Sequence, residues 1–84
     1  MDKVIRLIKF LKRIRDQVEP VVQTYLQIDL DIQDGVIVAV FKYARSDAAR
    51  IGFQYYLPKE YLSDDEFMIS RADFVIRSLL EIKA

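Results

Sequence analysis

Between residues 26 and 33 apolar and polar positions alternate without a break, and after a pause at Asp34-Gly35 the chain becomes apolar on both sides. Leu26, Ile28, Leu30 and Ile32 are apolar, and Gln27, Asp29, Asp31 and Gln33 stand between them. A period of two predicts a strand with one half-buried face and one wet face. Asp34-Gly35 follows, the residue pair best suited to a type I′ turn because both central positions need positive φ. A two-residue loop sets the register. Gln33 then faces Val36, Ile32 faces Ile37, Leu30 faces Ala39, Ile28 faces Phe41 and Leu26 faces Tyr43. Ile37, Ala39, Phe41 and Tyr43 therefore share the buried face, and Val36, Val38 and Val40 fall on the other. That second apolar row needs a cover.

On either side the period changes. Val4, Leu7, Ile8, Leu11, Ile14 and Val18 recur at helical spacing, predicting an amphipathic helix over residues 2–18, with Phe10 and Ile5 at the edges of its apolar arc. Pro20 should end or kink it near Glu19, or open a short turn of its own. Residues 44–48 read as a polar connection. Residues 50–57 read as a third strand, with Ile51, Phe53 and Tyr55 on one face and Gly52, Gln54 and Tyr56 on the other, closed by Pro58. Ser63 with Glu66, and Ser70 with Asp73, carry helix-start spacing. They predict a short turn at 64–68 and a main helix over 71–82, whose apolar face is Ala72, Val75, Ile76, Leu79, Leu80 and Ile82.

The expected fold is α+β, one domain over residues 1–84: helix, three-stranded antiparallel meander, helix (αβββα), with both helices on one sheet face. That arrangement leaves Val36, Val38 and Val40 uncovered. A partner protein or a second copy would cover them, and so would the first helix if it lay on the face opposite the second.

Composition narrows the chemistry. The chain has 84 residues, an apolar fraction of 52%, and thirteen acids against thirteen bases. That balance is globular, without the basic excess expected of a nucleic-acid binder. It has no cysteine and no histidine, which removes thiolate chemistry and the commonest general base and metal ligand. No phosphate loop or nucleophile elbow is present, so neither enzyme activity nor a cofactor, metal or small-molecule substrate is expected. Lys3, Arg6, Lys9, Lys12 and Arg13 interrupt the first fourteen residues, leaving no signal-peptide core. Without a membrane-length apolar run, a soluble cytoplasmic protein is expected.

Asp29 and Asp31 share one strand face and read as solvated alternation rather than a cation site. Asp64, Asp65 and Glu66 read as acids favoured at a helix start. Tyr56, alone of the third strand's aromatics on the face of the valine row, is the exposed anchor, and Phe53, Tyr55 and Tyr61 read mostly as core. The protein interface is thus expected at Val36, Val38, Val40 and Tyr56, in a homodimer or in a phage or mobile-element inhibitor or adaptor. The alternative is a nucleic-acid binder whose first helix offers Arg6, Lys9, Lys12 and Arg13 to phosphate.

The element order resembles that of the double-stranded-RNA-binding domain, and that of some small phage-encoded inhibitors, certain anti-CRISPR proteins among them. Double-stranded-RNA-binding domains open their second helix with a Lys-rich cluster, where this chain has Asp64, Asp65 and Glu66. No residue is carried over.

Overall fold

In the computed structural model, which describes residues 2–44 and 50–83, the elements follow the expected order. They are α1 (Asp2–Val22), β1 (Gln27–Gln33), β2 (Val36–Ala44), β3 (Arg50–Pro58), a short 3₁₀ helix (Lys59–Ser63) and α2 (Asp65–Lys83). The connection expected at 44–48 lies, from residue 45 on, outside the described residues, as does the side chain of Ile82.

The sheet is antiparallel in the order β1-β2-β3. Its register follows from the turn: Asp34 (φ 52°) and Gly35 (φ 79°) both occupy the left-handed region. Gln33 pairs with Val36, Ile32 with Ile37, Leu30 with Ala39 and Ile28 with Phe41, as expected. Leu26 precedes the ladder rather than joining it.

Both helices lie on the face of Ile37, Ala39, Phe41 and Tyr43, in one apolar cluster with Phe10, Ile14 and Val18 of α1 and Met68, Ala72, Val75 and Leu79 of α2. The possibility that α1 covers the valine row is thereby removed. Arg6 reaches Asp65 at 2.6 Å and Arg13 reaches Asp73 at 3.1 Å. The helices therefore run side by side in the same direction. The Tyr43 hydroxyl donates to the carbonyl of Leu79 at 3.1 Å, pinning the far end of α2 to β2.

Two boundaries differ from the pattern reading. Pro20 lies inside α1, which runs to Val22. It removes one backbone donor, only one short turn remains beyond it, and the exit is tied. The Arg15 guanidinium donates to the Leu26 carbonyl at 2.8 Å, and the Leu26 N–H donates to the Glu19 carboxylate at 2.8 Å. Gln23, with φ 56°, turns the chain out. The second difference is α2, one continuous helix where two pieces were expected. Its start is capped by Asp64, which accepts the N–H of Phe67 at 3.0 Å. The Ser70–Asp73 spacing falls inside the helix.

Candidate protein interface

On the face away from the helices stand Val36, Val38, Val40 and Lys42 of β2, flanked by Asp29 and Asp31 of β1 and by Gln54 and Tyr56 of β3. No helix among the described residues covers this row. Val38 is nevertheless only 4% exposed, because Asp31 and Tyr56 stand directly across from it on either side. Val36 and Val40 are half-buried, and Tyr56 is 57% exposed. The row is uncovered but narrow. Of the expected interface residues, Tyr56 offers the most surface.

The basic face of α1 is neutralised where acids can reach it. Besides the two pairs to α2, Lys12 bonds Asp16 at 2.8 Å and Arg15 approaches Glu19 at 3.5 Å. Of Arg6, Lys9, Lys12 and Arg13, Lys9 alone makes no ion pair among the described residues. Two of the balancing acids, Asp65 and Asp73, come from α2. A groove of about 360 Å³ between the helices is lined by Arg6, Lys9, Phe10, Arg13, Met68 and Ile69, with Asp65 at its rim.

The largest departure from expectation is on the β1 side of the molecule. Val4 and Ile8, assigned to the core face of α1, are 55% and 58% exposed, and Leu30 and Ile32 of β1 are 46% and 64% exposed. Phe10, placed at the edge of the apolar arc, is core instead. Helical geometry relates the exposed groups. Val4, Ile8, Leu11 and Arg15 form one stripe at spacings of four, three and four, roughly opposite the Arg6–Arg13 side that meets α2. Arg15 bonds Leu26, at the entry to β1, so this stripe is the flank of α1 turned toward β1. α1 leads into β1 through the short 23–26 turn, and the two run in opposite senses. With about 1.5 Å per helical residue and about 3.3 Å per strand residue, Ile8 stands roughly level with Leu30, and Val4 with Ile32. Four aliphatic side chains thus line one flank.

The acids beside that flank are organised. The Gln27 side-chain amide donates to Asp29 at 2.9 Å, and that of Gln33 donates to Asp31 at 3.0 Å. Asp31 also accepts the backbone N–H of Ile32 at 2.9 Å. The Gln33 amide and then this N–H hold the Asp31 carboxyl below the usual carboxylate range. No group of three or more metal-ligating side chains occurs among the described residues.

A second cluster escaped the sequence pattern. The Arg71 guanidinium lies 4.3 Å over the ring of Phe74 and 5.3 Å from the Tyr55 ring centre, and it donates to the Tyr55 hydroxyl. Phe67, Arg71 and Phe74 recur at spacings of four and three on α2, which was the available signal. Tyr61, read as core, is exposed and stacks on Phe67 at 4.2 Å between ring centres.

No family model, no curated protein and no solved structure matches this chain. No helix among the described residues is long and apolar enough to cross a membrane.

Proposed function

We propose that this chain is a non-enzymatic module that binds another protein, in the cytoplasm, through the β1 flank. The observation that carries the reading is the exposure of four aliphatic side chains, Val4, Ile8, Leu30 and Ile32, which helix and strand spacing set on one side. Scattered exposed apolar residues are ordinary, but aliphatics gathered on one flank beside a free strand edge are where partners dock. The ion pairs on α1 favour this reading over phosphate binding, because Arg6, Lys12 and Arg13 already have carboxylate partners. An adaptor or inhibitor role of the kind found on mobile elements fits such a module.

A photo-crosslinking residue placed at position 32, 9 or 81, in cells that naturally express the chain, tests this. A discrete protein adduct at 32 with none at the exposed control Glu81 is expected. Nucleic-acid adducts at position 9 with nothing at 32 would overturn the reading.

A further inference from the structure

Resting on that reading, we infer that the β1 edge is a strand-addition site for an extended partner segment that alternates aliphatic and basic residues. In a two-residue hairpin the residues flanking the turn form a hydrogen-bonded pair, and such pairs then alternate along the ladder. Gln33, Asp31, Asp29 and Gln27 accordingly point their backbone groups at β2. Ile28, Leu30 and Ile32 point theirs outward, at the open edge. Asp31 occupies the outward N–H of Ile32, so the donors open to a new strand are those of Ile28 and Leu30.

A strand laid there meets two different surfaces, one on each side of its pleat. Alternate side chains on the helix side meet Leu30, Ile32 and the Val4–Ile8 stripe, all of them exposed aliphatics. The residues between them come beside the carboxylates of Asp29 and Asp31, which face solvent. Aliphatic and basic side chains in alternation complement both.

A second copy of the chain does not. Pairing β1 with its own two-fold mate keeps like faces together. Every such register that pairs most of the strand then sets Asp29 or Asp31 against an aspartate of the other copy. These acids defend the edge against self-pairing while leaving it open to a basic segment. The other edge is a poorer acceptor: along β3 the outward groups belong to Gly52, Gln54, Tyr56 and Pro58, and Pro58 has no N–H.

Panning a random nonamer library against the intact chain tests the inference, with affinities of the selected peptides read by fluorescence anisotropy. Alternating aliphatic and Lys or Arg residues should be enriched. The double charge reversal Asp29→Lys with Asp31→Lys should weaken binding at least tenfold, while Tyr56→Ser leaves it unchanged. Replacing the peptide's own Lys or Arg by Glu must give the same loss on the unaltered chain, which covers any folding defect of the double variant. Enrichment of helical spacing or acidic peptides, insensitivity to either charge swap, or no enrichment at all would overturn strand addition. The crosslink at position 32 judges the broader reading independently, since a protein that docks on the flank without forming a strand still labels it.

Discussion

Ile32 and Ile37 are the same residue type, stand directly across from each other on the β1–β2 ladder, and share the helix-bearing face. Ile37 is 4% exposed and Ile32 is 64% exposed. The difference lies in how far the helices reach. α1 and α2 pack against each other, and Phe53 and Tyr55 of β3 hold Phe74 at ring-centre distances of 6.5 and 6.2 Å, so the pair sits toward the β3 side. Two helices packed side by side are wide enough for three strands, so it is their placement toward β3 that leaves β1 at the margin. A face can be apolar by pattern and still lie beyond its cover.

Substitution should divide the two isoleucines. Ile37→Ala leaves a cavity among packed neighbours and should cost about 2–5 kcal/mol in denaturant unfolding, whereas Ile32→Ala should cost less than about 1 kcal/mol. Equal losses would mean that Ile32 is buried in solution. Asp64→Ala tests whether α2 begins at the residue that caps it. Loss of the bond to Phe67 should lower stability by about 1 kcal/mol, with Ser63→Ala nearly silent.

The ion pairs joining α1 to α2 should matter less than either. Asp73→Asn removes an exposed partner of Arg13 and should change stability by under about 1 kcal/mol, with the difference shrinking as salt rises. The smallest effect belongs to Asp31. Its carboxyl is more acidic in the folded chain than in the unfolded one, so its contribution is present above the unfolded value, near 4, and fades as pH falls through the folded value. In a carboxyl-carbon NMR titration its midpoint should rise toward the ordinary aspartate value in Gln33→Ala.

Much of the fold was legible because its signals are local. Asp34-Gly35 admits the I′ turn, and the turn carries the register with it, which separates Ile37, Ala39, Phe41 and Tyr43 from the valines. Helix ends were less legible. Pro20 breaks a helix on average but costs little so near the end of one whose exit Arg15 and Glu19 hold. Asp64 outcompeted Ser63 as cap through a geometry that spacing alone does not encode.

The proposed flank differs from the face that the pattern pointed to for a related reason. Val4, Ile8, Leu30 and Ile32 have the periodicity of core, and only the lateral offset of the helices exposes them. The valine row has the periodicity of an open face, yet Asp31 and Tyr56 shield its centre. Val38→Asp would therefore set a charge into a closed spot beside Asp31 and unsettle the fold, whereas Tyr56→Ser probes that face cleanly.

Backbone amide exchange, residue by residue, with and without a selected peptide, tests most directly whether β1 receives a partner strand. The outward N–H groups of Ile28 and Leu30 should slow about tenfold or more on binding, while those of Gln54 and Tyr56 on the opposite edge stay as they were. Protection along β3 or in the groove between α1 and α2, with Leu30 unchanged, would contradict it.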